Sequence, residues 1–96
     1  VEYRGCFDVV VARSFGVPAA TAECAAGFLR VGGSLIVSEP PGGDPNRWKA
    51  EGLAQLGLVL DVVETAPVAR AILTQSAICP DGYPRRDGVP TRRPLF

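Results

Sequence analysis

FDVVVARSF (residues 7–15), VPAATAECAAGFLRVGG (17–33) and SLIVSE (34–39) follow one another in the sequence and read as strand, crossover helix and strand. The run Phe7-Asp8-Val9-Val10-Val11-Ala12 is almost continuously apolar. Such runs are buried on both faces, as in a parallel α/β sheet, and normally have a neighbour strand on each side. The segment 34–39 supplies one parallel neighbour. Only six residues precede Phe7, too few for the other. The expectation is the second half of an α/β domain whose first half is encoded elsewhere.

Length and composition point the same way. Ninety-six residues are short for a doubly wound α/β domain, and 47% apolar residues are ordinary for a globular chain. Met is absent and residue 1 is Val, as in an excised piece or an open reading frame with an unusual start codon. No apolar run approaches the roughly 20 residues of a membrane span, and no signal peptide pattern is present, so a soluble cytoplasmic protein is expected.

The three cysteines, Cys6, Cys24 and Cys79, are widely spaced, and the chain has no His. That argues against a zinc or other metal site, and against a Ser-His-Asp arrangement built from this chain. Cys24, set among alanines, reads as a small buried apolar residue. The net charge is zero but uneven: residues 1–78 hold 6 Lys/Arg and 8 Asp/Glu, whereas residues 79–96 hold 4 Arg and 2 Asp. The basic tail allows an anionic partner.

Outward from the deciding stretch, Arg13 ends the first strand, where the loops of a parallel sheet form the ligand crevice. It either faces a ligand there, caps a neighbouring helix or pairs with Glu23. Pro18 opens the helix, and Ala19, Ala22, Ala25, Ala26 and Leu29 form its narrow inner face. The helix is expected to end at Arg30-Val31-Gly32-Gly33, with Arg30 complementing the dipole. Pro40-Pro41-Gly42-Gly43 stops the second strand, and Ser38-Glu39-Pro40-Pro41 reads as a rigid strand exit with Glu39 bordering the crevice. Asp44 or Asn46 is placed as the cap of a second helix carrying Trp48, Leu53 and Leu56 inward and broken by Gly57. The runs 59–65 and 69–76 are too closely linked for a parallel crossover, so they form an antiparallel pair. The tail, with Pro80, Pro84, Pro90 and Pro94, is expected to be extended.

FDVVVARSFG, TAECAAGFLRVGGSLIVSEPPG and the closing YPRRDGVPTRRP resemble the carboxyl half of the bacterial small-subunit ribosomal RNA methyltransferase G family (RsmG, also called GidB). The resemblance runs from Phe7 to Pro94, and the YPR-R-x-G-x-P ending is its most specific part. It implies a class I, Rossmann-like methyltransferase sheet with an antiparallel last strand. It implies methyl transfer from S-adenosyl-L-methionine to N7 of a guanine in 16S ribosomal RNA of the small ribosomal subunit. Arg13 matches the family's cofactor-site arginine. Arg85 and Arg86, and more loosely Arg92 and Arg93, match its basic ending and are the candidate RNA contacts. Residues 1–78 would then be the carboxyl half of the methyltransferase domain, and residues 79–96 an extended basic tail.

N7 of guanine carries a lone pair and no proton, so the chemistry needs no general base, and a site without His is adequate. The family's glycine-rich cofactor loop and its ribose-binding acidic residue are absent: Gly32-Gly33 follows a helix and Gly42-Gly43 lacks the spacing. The isolated chain is therefore expected to be inactive, to bind cofactor poorly, and to self-associate through its open strand. Two other readings stay open: a non-catalytic α/β module that binds RNA or a protein, and a Rossmann-like domain for another nucleotide.

Overall fold

The computed structural model describes residues 4–13, 18–39, 45–65, 68–85 and 89–96. Four strands form one mixed sheet: β1 (Phe7–Arg13), β2 (Leu29–Ser38), β3 (Leu58–Glu64) and β4 (Arg70–Gln75). Their spatial order is β1-β2-β4-β3. β1 and β2 are parallel, with Val10 opposite Leu35 and Ala12 opposite Val37. β4 lies antiparallel between β2 and β3. The short connection after β3 forces that reversal, because a parallel return needs a crossover of a dozen or more residues.

Helix α1 (Pro18–Ala26) makes the crossover from β1 to β2. Residues 19, 22, 23 and 26 share its inner face by helical spacing. Ala19, Ala22 and Ala26 are accordingly fully buried, and so is Glu23. Cys24 falls off that stripe and is exposed, contrary to the expectation of a buried thiol. The helix is also shorter than expected, because Leu29 to Gly33 belong to β2. The start of β1 captures this segment: Phe7 donates its backbone N–H to the Phe28 carbonyl at 2.9 Å. The register then jumps from Phe7 opposite Leu29 to Val9 opposite Ser34, so β2 bulges outward. Gly32, at φ 89°, turns the chain through that bulge in a conformation other residues rarely adopt. Arg30 pairs with Asp8 across the two strands instead of capping a helix.

The second helical segment is split. A short 3₁₀ turn (Pro45–Arg47) precedes α2 (Ala50–Gln55), and Trp48 sits buried between them. Lys49 holds the cap position without a side-chain hydrogen bond, so Asn46 does not cap α2, and Asp44 lies outside the described residues. Gly57 ends the helix at φ 79°, as a left-handed closing residue. Its carbonyl accepts from the N–H of Ser76 at 2.8 Å, tying α2 to the end of β4.

All of this covers one face of the sheet. Leu35 and Val37 of β2, Ala71 and Leu73 of β4, and Leu58 of β3 are buried beneath α1, α2, Trp48 and Cys79. The tail completes the layer, with Tyr83, Leu95 and Phe96 packing against the same cluster and Phe96 lying 6.4 Å from the Trp48 ring. It is therefore not extended throughout: it crosses the helices and closes in a short helix, α3 (Val89–Arg92), that packs on α1. No described helix covers the opposite face. There Val11, Ile36, Ile72 and Val62 stand in one row across all four strands. Val11 is 72% exposed and Val62 43%. Among the described residues β1 is an edge strand with a single neighbour, β2.

The Gly57 turn gives a direct check. A Cβ there would collide with the Ala77 carbonyl as well as straining the backbone. Gly57→Ala should lower stability by more than about 1 kcal/mol, whereas Gly82→Ala, where a Cβ meets nothing within 4 Å, should shift the urea midpoint very little.

Candidate functional site

Two places bring chemistry-bearing residues together. The first is the rim at the carboxyl ends of β1 and β2, where α/β sheets bind ligands. Arg13 is the last residue of β1 and is exposed. Across the rim it lies opposite Ser38, which in turn lies opposite Arg70. Arg70 is paired with Glu64 on the neighbouring β3. Glu39 follows directly after β2, and its carboxylate is wholly buried. One oxygen accepts from the Arg47 guanidinium and the other from the Trp48 indole N–H. A buried carboxylate needs such donors, and here they fasten the segment before α2 onto the strand exit. Glu39 therefore borders the crevice as a tether for Arg47 and Trp48. Trp48 is core packing with a satisfied N–H, in line with its sequence reading.

The second place is the tail. Arg85 donates its backbone N–H to Glu23 Oε2 at 2.7 Å. Its guanidinium grips the same carboxylate from Nε at 3.0 Å and from Nη2 at 2.8 Å. Nη2 also reaches the Arg93 carbonyl at 2.6 Å, folding the tail back on itself. Burial alone would push the Glu23 carboxyl up. The hydrogen bonds and positive charge of Arg85 outweigh that and hold it below the usual carboxylate range. The same hydrogen bonds raise Arg85. Arg85, Arg92 and Arg93 line one open cleft of about 830 Å³, together with Gly82, Pro84 and Val89.

Of the residues picked from sequence, Arg13 thus stands at the rim with Glu39 sealed beside it, and Arg85, Arg92 and Arg93 converge in the tail. Arg86 lies outside the described residues, as do Ser14, Phe15 and residues 40–44. The pairing of Arg13 with Glu23 does not occur, since Glu23 is taken by Arg85. Sequence reasoning offered Glu23 only as a partner for Arg13 and missed that it anchors Arg85. Its signal was a carboxylate spaced i+4 from Ala19 on an otherwise alanine-lined face. Among the described residues no group of three His, Cys, Asp or Glu side chains could hold a metal ion.

A parallel pair followed by an antiparallel strand inserted beside it defines an α/β sheet of the Rossmann-like methyltransferase kind. A T. thermophilus 16S rRNA N2 methyltransferase (RsmC), solved in complex with AdoMet and guanosine, superimposes with a TM-score of 0.51 at 29% identity. The match covers 80% of this chain and 22% of that one. No family model matches the chain. Curated relatives place it with the ribosomal RNA small subunit methyltransferase G family: the Deinococcus deserti protein is 38% identical over 99% of this chain. The Carboxydothermus hydrogenoformans protein is 35% identical over 97%. The chain spans only 42% and 43% of the length of those two relatives.

The clamp carries its own pH signature. Because the folded Glu23 carboxyl is depressed, its contribution to stability is full above the ordinary carboxylate range, about pH 4, and is lost as pH falls through the depressed value. Glu23→Gln should therefore be less stable than wild type at pH 7, with the gap shrinking on acidification, as read by urea unfolding across pH.

Proposed function

We propose that this chain is the carboxyl-terminal part of an S-adenosyl-L-methionine-dependent methyltransferase that acts on N7 of a guanine in 16S ribosomal RNA of the small ribosomal subunit. The observation that carries the reading is similarity along almost the whole chain to proteins named for that activity class. The rim geometry agrees with it, because Arg13 stands at the carboxyl end of a parallel strand, where such sheets place their ligands.

The described residues fit the cofactor only as one wall of a site. Glu39, the acidic residue nearest the rim, is sealed against Arg47 and Trp48 and is not available to ribose hydroxyls. The remaining wall is assigned to an amino-terminal half. That half would also add a strand to the open edge of β1 and cover the row from Val11 to Val62, as a sheet with two apolar faces requires. When bound, the cofactor supplies an electrophilic methyl on a sulfonium.

The guanine N7 lone pair needs no base, so the task left to this chain is orientation. Arg13 is suited to hold O6 or the cofactor side. An N–H donated to N7 itself would block the nucleophile. A cytoplasmic location goes with a ribosomal substrate. The tail cleft, formed entirely within this chain, favours one alternative, a module that binds RNA without catalysis.

The test is tritiated methyl transfer to under-methylated 30S subunits, with the chain alone and joined to the amino-terminal portion of the Deinococcus deserti relative. Transfer and cofactor binding should appear only in the joined form, and Arg13→Ala should cut transfer about tenfold or more, the worth of one charged hydrogen bond. Full activity in that variant removes Arg13 from the site. RNA binding with no transfer in the joined form favours the non-catalytic module.

A further inference from the structure

The cleft in the tail has a construction that its residue types alone do not announce. Among the described residues six line it, of which three are arginines and none is acidic. Their backbone is held from several directions. The Arg93 N–H donates to the Val89 carbonyl at 2.8 Å, and the Arg93 carbonyl accepts from Arg85. Arg85 is in turn fixed to the buried Glu23 of α1, 62 positions earlier in the chain. Arg85 therefore spends its charge on Glu23 and works as an anchor, while Arg92 and Arg93 are exposed along the cleft.

We propose that this cleft is a phosphate-binding site for the backbone of single-stranded RNA. Arg92 and Arg93 are the contact residues, and the Glu23–Arg85 clamp is the positioning element. The proposal rests on the reading of the chain as acting on RNA. The volume, about 830 Å³, lies within the usual range of ligand clefts, and the cleft is open, so a strand can pass through it. Arginine forks held on a fixed backbone lose less freedom when they grip a phosphate in bidentate fashion. Tyr83, which lies between Gly82 and Pro84 in the chain, turns inward against the core and reaches Gln55 at 3.4 Å. No aromatic side chain is among the described lining residues, so the arginines carry the contact and their partner is phosphate. An acidic protein partner fits less well. Interface anchors need apolar pockets, and here the neutral lining among the described residues is Gly82, Pro84 and Val89.

Positioning and bulk electrostatics predict opposite signs for one substitution. Glu23→Gln removes a negative charge and frees Arg85, so a purely electrostatic tail would bind RNA more tightly. If the clamp shapes the cleft, the variant binds more weakly although every arginine is retained.

The experiment is fluorescence anisotropy of a labelled single-stranded RNA of about 20 nucleotides with the full chain across a KCl series. Each phosphate contact in a single strand contributes about 0.7 to the slope of log affinity against log salt. Arg93→Ala should reduce the slope by about 0.7 and Arg92→Ala/Arg93→Ala by about 1.4. Glu23→Gln, with its helical content checked by circular dichroism, should weaken binding severalfold, and Arg85→Lys should do the same. If Glu23→Gln fails to fold, the two exposed arginines still decide the matter.

An unchanged slope in the double variant, tighter binding in Glu23→Gln, or no RNA binding by wild type overturns the cleft. So does displacement of the RNA by poly-glutamate at equal charge, which would make the partner a protein. Methyl transfer by the joined form is scored separately, so failure of the cleft and failure of the methyltransferase reading give different results.

Discussion

A mixed sheet made of valine, leucine and isoleucine has two apolar faces, and water must be kept from both. In this chain a single layer does that for one face. α1, α2, Trp48 and the returning tail all converge on Leu35, Val37, Ala71 and Leu73. Burying each of the leucines and the valine contributes on the order of 1.5–3 kcal/mol, so the covered face decides where every other element goes. It explains why α1 is lined with alanines, whose small size lets the helix approach the strands closely. It also explains why the chain end is drawn inward at Phe96.

The other face carries no such layer among the described residues, and the functional reading grows out of that asymmetry. The row Val11, Ile36, Ile72 and Val62 and the unpaired edge of β1 belong to the same side of the domain question. A parallel strand with one neighbour leaves half its amides without partners, and an exposed apolar edge invites pairing with another chain. A further strand beside β1 and helices over the row would satisfy both demands together, and would bring a second wall to the rim where Arg13 stands.

The parts of the fold that could be read from sequence are those dictated by local pattern. Phe7–Ala12 and Ser34–Glu39 were recognisable as parallel strands by their continuous apolar character, and the β3–β4 hairpin by the brevity of its link. What was not legible depended on partners distant in sequence. The start of β2 at Leu29 is set by the Phe7 and Gly5 amides, which claim the carbonyls of Phe28 and Gly27, so helical spacing lost to strand pairing. Cys24 looked buried by composition, but the helical phase turned it outward and put Glu23 in its place. The tail looked extended because of its prolines, yet Arg85 finding Glu23 across the fold bent it into a cleft. The basic residues of the candidate site were thus visible early, whereas the pairing of Glu23 with the tail that arranges them was not.

The measurement that bears most directly on the account is backbone amide exchange in β1, followed by NMR or mass spectrometry with the chain alone and then joined to an amino-terminal half. Alternate amides between Val9 and Val11 should exchange rapidly in the chain alone and become protected by several orders of magnitude in the joined form. Protection of every β1 amide in a monodisperse, monomeric chain, unchanged on joining, would show that this edge has no missing neighbour and would contradict the account.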